Sequence, residues 1–139
     1  MIILDTNVIS EMFRPRPDPQ AMAWLQRQAD DTVFITSITH GELLFGIRTL
    51  PAGRRREILL AGLLRILEPR FASRVLPYDA SAADAYAGIA ADRRAAGRPI
   101  SHFDAMIAAI ARVRGAQLAT RNVGDFEGCG ITIVDPWHS

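Results

Sequence analysis

Lysine is absent from this chain of 139 residues: all 16 basic side chains are arginine, set against 15 acids for a formal net charge of +1. Bulk charge therefore does not mark the protein for nucleic acid or an acidic membrane, and any such preference rests on how the arginines are distributed. Cysteine is nearly absent as well. A lone Cys129 excludes an internal disulfide and a zinc site of paired thiolates, and reads as a small buried apolar residue. No apolar run approaches the ~20 residues of a membrane span, no basic leader opens the sequence, and Asp5 interrupts the first hydrophobic stretch, so a soluble, cytoplasmic protein with no membrane role is expected. Repeats, low-complexity tracts and flexible linkers are missing too. What remains is a chain, 49% hydrophobic, of the size of one domain spanning 1–139 around one sizeable core.

Short apolar runs recur at Ile2 to Leu4, Val33 to Thr36, Val75 to Tyr78, Gln117 to Thr120 and Ile131 to Val134, separated mostly by longer segments of helical character. That alternation predicts an α/β fold with a central parallel five-stranded sheet flanked by helices. The first helix is announced by Asp18-Pro19, an N-cap followed by proline at the first helical position. A second starts near Ser37 or Thr39, where Thr39 and Glu42 have capping-box spacing, and runs to about Arg48. The third is expected over Arg54 to Leu67, stopped by Glu68-Pro69. The fourth covers Ser81 to Ala96 and closes on Gly97; the fifth follows Ser101 and ends at Gly115.

Four acids fall at telling places on this frame. Asp5 follows the first strand, at the carboxyl edge where open parallel sheets bind ligands, and could equally cap a following helix. Glu42 shares a helical face with Ile38 and Phe45 among further apolar neighbours, so it points inward, where it needs a partner unless the capping box satisfies it. Asp104 opens the apolar stretch "DAMIAAIA" on a buried helix, where favourable interaction with the helix dipole is the alternative account. Asp125 follows the fourth strand in "LATRNVGDF", in a loop that could hold an aspartate for its turn chemistry alone.

Taken together the four converge on one rim, because strands end and helices begin at the same edge of a parallel sheet. Two unit charges ~4 Å apart repel by ~4 kcal/mol at an effective dielectric of 20, so a cluster of ionised carboxylates there calls for a divalent cation. Oxygen donors without thiolate and with little histidine suit a hard ion, Mg²⁺ or Mn²⁺. Such an ion binds phosphate oxygens and activates water, which points to hydrolysis of a phosphodiester.

The stretches "ILDTNVIS", "SITHGELLFGI", "GRPISHFDAMIAAIA" and "LATRNVGDF", in this order, resemble the PIN-domain ribonucleases, most closely the VapC/FitB-type toxins of bacterial toxin–antitoxin pairs. The resemblance covers nearly the whole chain. It implies a PIN-like fold, an Mg²⁺- or Mn²⁺-dependent endoribonuclease, a homodimer and a cognate antitoxin that blocks the site. Position by position, the family's acids match Asp5, Glu42, Asp104 and Asp125, and its polar residues that hold ligand waters or orient carboxylates match Thr6, Asn7, Thr120 and Asn122. The pair His102-Phe103 is bulkier than the family's usual residues before the third acid, and His102 is a candidate RNA contact.

Arg54-Arg55-Arg56 stands at a helix start, where the dipole disfavours cations, and so is a candidate RNA or partner surface. Arg14, Arg16, Arg93, Arg94 and Arg98 are further candidates for a backbone track. The stripe in "EILLAGLLRIL" is too wide for one buried face, so it packs either on two surfaces, one of them a second subunit or antitoxin, or under neighbouring helices of its own chain. Three rivals stand beside the RNA-cleaving toxin. A haloacid-dehalogenase-like phosphatase would need D-x-D where Asn7 stands. A structure-specific DNA nuclease of the same superfamily usually carries extra insertions. A catalytically silent RNA- or protein-binding PIN module would be expected to have lost an acid.

Overall fold

In the computed structural model, which describes residues 1–139 apart from the side chains of 69 and 70, the five apolar runs become strands β1 (Ile2–Leu4), β2 (Val33–Thr36), β3 (Val75–Leu76), β4 (Gln117–Ala119) and β5 (Ile133–Val134). They form one sheet in the order β3-β2-β1-β4-β5, with every pairing parallel. β1 is the central strand, its Ile3 registered against Phe34 on one side and Leu118 on the other. Successive side chains of a strand point to opposite faces. Ile3 accordingly enters a core with Ile107, Ile110 and Phe126, while Leu4 enters a second with Val8, Ile9 and Leu63. Burying both faces is what lets so short a strand hold the middle of the molecule.

The helices are α1 (Thr6–Glu11), α2 (Pro19–Gln26), α3 (Ser37–Arg48), α4 (Arg54–Phe71), α5 (Ala80–Ala95) and α6 (His102–Arg114). Sequence reasoning finds all but α1. Asp18, Asp79 and Ser101 cap α2, α5 and α6 with their side chains, each accepting the backbone N–H three residues on. Gly97 and Gly115 adopt positive φ after α5 and α6, the left-handed turn that glycine makes without strain.

Three expectations are corrected. A helix precedes Asp18: Asp5 caps α1 directly after β1, accepting from Thr6 N. The cap of α3 is Thr36, whose hydroxyl accepts from Thr39 N at 3.1 Å; the Thr39–Glu42 capping box does not form, because Thr36 already supplies that bond and Glu42 is engaged elsewhere. α4 extends past Leu67 to Phe71, and the expected stop at Glu68-Pro69 lies partly outside the described side chains.

The α4 stripe divides as its width suggests. Leu63 and Leu67 are buried in the core, whereas Ile58 and Leu64 are exposed. Among the described residues, no helix is long and apolar enough to cross a membrane.

Candidate active site

β1 delivers Asp5 to the carboxyl edge of the sheet, and the immediate turn into α1 folds the next two polar residues back onto it. The Asp5 carboxylate, 5% exposed, accepts from Thr6 N at 2.8 Å, from Thr120 Oγ1 at 2.8 Å and from Asn7 Nδ2 at 3.2 Å. Thr120 comes from the end of neighbouring β4, so the parallel pairing of β1 with β4 builds this contact. Asn7 also donates to Thr120 Oγ1 and accepts from Arg121 N, and Asn122 N donates to Thr120 Oγ1. "DTN" after the first strand is thus a knot of side chains holding one carboxylate in place.

Glu42 reaches the same place from α3. Its Oε1 accepts from Thr6 Oγ1 at 2.9 Å, and that hydroxyl lies 3.1 Å from Thr39 Oγ1. Phe45, expected on the same inward face, is instead 71% exposed, so the partly buried apolar stripe of α3 runs through Leu43, Leu44 and Ile47 and leaves Glu42 at its margin. Asp104 occupies the first turn of α6, its backbone N–H donating to the Ser101 hydroxyl. Asp5, Glu42 and Asp104 line one cavity of ≈ 430 Å³.

Electrostatics record the crowding. Burial pushes the Asp5 carboxyl up to about 6; its bonds from Thr120 and Thr6 oppose the rise, and the charges of Asp104 and Glu42 add to it. Asp104 is also raised, by burial first and by Asp125, against lowering by Ser101 and Arg93. Burial is thus the main reason these carboxyls resist ionisation, and the neighbouring carboxylates add to it.

Other candidate residues fall elsewhere. Asp125 lies exposed in a single turn over Val123–Phe126 and does not line the cavity, though it is near enough to Asp104 to repel it. His102 accepts or donates at 2.6 Å to Tyr86 Oη and lines a separate cavity with Tyr86 and Arg94. Arg54, Arg55 and Arg56 are absent from the acid cavity's lining. Arg93, a candidate for a phosphate track, is only 7% exposed: its guanidinium donates to the carbonyls of Arg98, Asp125 and Glu127 at 2.7–2.9 Å and reaches Cys129 Sγ at 3.7 Å. It ties the Asp125 turn to the end of α5.

Four residues that sequence reasoning overlooked line the cavity: Ser10, Glu11, Arg121 and Trp137. Glu11 is 2% exposed and pairs with Arg14 at 3.3 Å. Its signal was the spacing Asn7, Glu11, Arg14, one helical face, legible only once α1 is recognised. Arg121 sits beside the noted Thr120 and Asn122. Trp137 lies in the final turn, Pro136–His138, announced by the cap Asp135 before a proline.

The donor set suits a hard divalent ion: the acids are accompanied by hydroxyl and amide groups, and neither histidine nor cysteine lines the cavity. Among the described residues, no three or more Asp, Glu, His or Cys side chains are gathered closely enough to hold a metal ion together.

Comparison with known proteins bears on the same chain from outside. The family model described as "PIN domain" matches residues 2–127. VapC ribonuclease Y4jK of Sinorhizobium fredii is 42% identical, with 99% of each chain covered, and Toxin FitB of Neisseria gonorrhoeae is 38% identical with the same coverage. The crystal structure of FitAcB from Neisseria gonorrhoeae superposes with a TM-score of 0.94 at 37% identity, covering 100% of both chains.

Proposed function

This chain belongs to the PIN-domain family, in the group that holds the VapC and FitB toxins, and from that premise we propose that it is a metal-dependent endoribonuclease, the toxin of a toxin–antitoxin pair, cutting single-stranded RNA in the cytoplasm. The observation that carries this reading is the convergence of Asp5, Glu42 and Asp104 on one cavity at the carboxyl edge of the sheet.

Asp5, Glu42 and Asp104, which share one cavity without being closely gathered, would hold Mg²⁺ or Mn²⁺ directly or through bound waters. Bound there, the ion lowers the pKa of a water and offsets charge on the phosphate. The chain's own part is to orient. Thr6, Asn7 and Thr120 fix the two Asp5 oxygens, and Thr6 also fixes Glu42 Oε1, so one residue, through its backbone N–H to Asp5 and its hydroxyl to Glu42, sets the relation between two carboxylates from different elements. Asp104, in the same cavity, is also placed to orient the attacking water or accept its proton, while Asp125, outside the lining, acts through its charge on Asp104. A cognate antitoxin blocks this site, and the protein works as a homodimer.

Purified protein freed of any antitoxin should cleave single-stranded RNA with Mg²⁺ or Mn²⁺ and stop when a chelator is added. Asp5→Asn should reduce the rate by more than ~100-fold, exceeding the usual loss from a residue that merely supports a metal ligand, while remaining folded. Cleavage by Asp5→Asn at the parent rate would remove the proposed site. Flap DNA in the same assay distinguishes an RNA enzyme from a DNA one.

A further inference from the structure

The acid cavity does not end at its acids. A second cavity of ≈ 390 Å³ shares Glu11, Arg14, Arg121 and Trp137 with it and continues past Arg16. The wall common to the two is basic and prearranged. The Arg14 side chain, 61% exposed, is tethered by the buried Glu11 carboxylate. The Arg121 guanidinium lies 5.3 Å from the centre of the Trp137 ring, and its backbone N–H is bonded to Asn7, part of the group that holds Asp5. Among the described residues no carboxylate forms an ion pair with Arg16 or Arg121. Asp18, the remaining acid of the second cavity, already accepts from Ala21 N as a helix cap. Where the cavities meet, Glu11 Oε2 and Trp137 Nε1 are buried without a hydrogen-bond partner, an unmet acceptor and donor that a polar occupant would satisfy.

We propose that Arg14, Arg16 and Arg121 form the binding wall for the phosphates of single-stranded RNA on one side of the bond to be cut. This rests on the ribonuclease reading and deepens it. A polyanion meets repulsion from Asp5, Glu42 and Asp104 wherever it enters their cavity, so affinity has to come from cations beside them. These three arginines supply it on one flank of the acid cavity; the neighbouring cavity on the other, which shares Thr6, Ser10 and Glu42, is walled mainly by apolar side chains such as Phe13, Leu43 and Leu63. Guanidinium forks match phosphate geometry, and the Trp137 face restrains Arg121 before RNA arrives, which reduces the ordering lost on binding. The Arg54–Arg56 triplet lines neither cavity.

The test is binding of a labelled single-stranded RNA dodecamer in chelator, where no cleavage occurs, measured across a salt series. Replacing Arg14, Arg16 and Arg121 together by alanine should weaken binding by about tenfold or more and make the salt dependence shallower by ~2 log units per log unit of salt, about 0.7 for each lost phosphate contact on a single strand. Replacing Arg54, Arg55 and Arg56 together should change affinity less than twofold. If the first triple variant does not fold, Arg16→Ala and Arg121→Ala singly should each reduce the slope by ~0.7. Unchanged affinity and slope in these variants overturn the proposal, as does a variant that binds RNA normally and loses only its inhibition by an antitoxin, which would make the wall a protein-docking face. Wild-type protein that cleaves RNA while the variants keep its KM sinks the wall alone. Wild-type protein that neither binds nor cleaves RNA sinks the ribonuclease reading, and the wall with it.

Discussion

Asp5 and Arg93 are both buried charges, and their surroundings could hardly differ more. Arg93 stands among three carbonyl oxygens and a sulfur, every contact an acceptor for its donors. Asp5 has three donors but shares its cavity with three more carboxylates, Glu11, Glu42 and Asp104, and burial foremost raises its pKa to about 6. A buried ion whose contacts are all of the complementary kind is part of the framework. One whose partners leave excess charge of its own sign is held there for something that has yet to arrive.

That contrast breaks first at Arg93. Arg93→Met should destabilise the protein by ~2–4 kcal/mol, since three carbonyls lose their donor at once. Chemical denaturation measures it, and an unchanged midpoint would mean that the Asp125 turn holds itself. At Asp5 the opposite sign is expected. Its folded pKa lies above the ordinary 3.8, so ionisation costs stability as pH rises through about 6. Asp5→Asn should therefore stabilise the metal-free protein near pH 8, by at most ~3 kcal/mol, and the gain should vanish below about pH 4. Melting curves at the two pH values decide between this and a framework role.

Thr120→Val sharpens the contrast further. It removes a bond that favours the charged carboxylate, so the acid limb of the RNA-cleavage pH profile should move to higher pH, with a rate loss of ~10-fold at neutral pH. A limb that stays in place would detach Thr120 from Asp5 ionisation. The smallest effect belongs to Arg98, whose ion pair with Glu127 at 3.1 Å is solvent-exposed on both sides; Arg98→Ala should change stability by no more than ~0.5 kcal/mol in thermal or chemical melts.

The sheet and five helices were legible because their signals are local: Asp18 and Ser101 announce starts, Gly97 and Gly115 announce ends, and only the cap of α5, Asp79, lies ahead of the expected start at Ser81. α1 was not. Its Thr6, Asn7, Val8 and Ile9 are weak helix formers, and burial of Val8 and Ile9 holds it in place. Missing α1 hid Glu11, whose position on the cavity wall depends on helical spacing. Asp5, Glu42 and Asp104 were found from chain order, since the ends of parallel strands and the starts of following helices share one edge. For Asp125 the same rule fixed only the edge. Which way the turn presents its carboxylate depends on Arg93, from an element distant in sequence. Likewise the capping box at Thr39 looked sound until Thr36, read as the last residue of a strand, proved to be the cap.

The outermost strands β3 and β5 have two residues each. So brief a margin offers an incoming chain almost no free backbone to template on, which guards the protein against lateral growth into larger sheets or fibres. Any second molecule, whether a copy of this one or something else, has to settle on helices and loops, leaving the strand that carries Asp5 untouched at the centre.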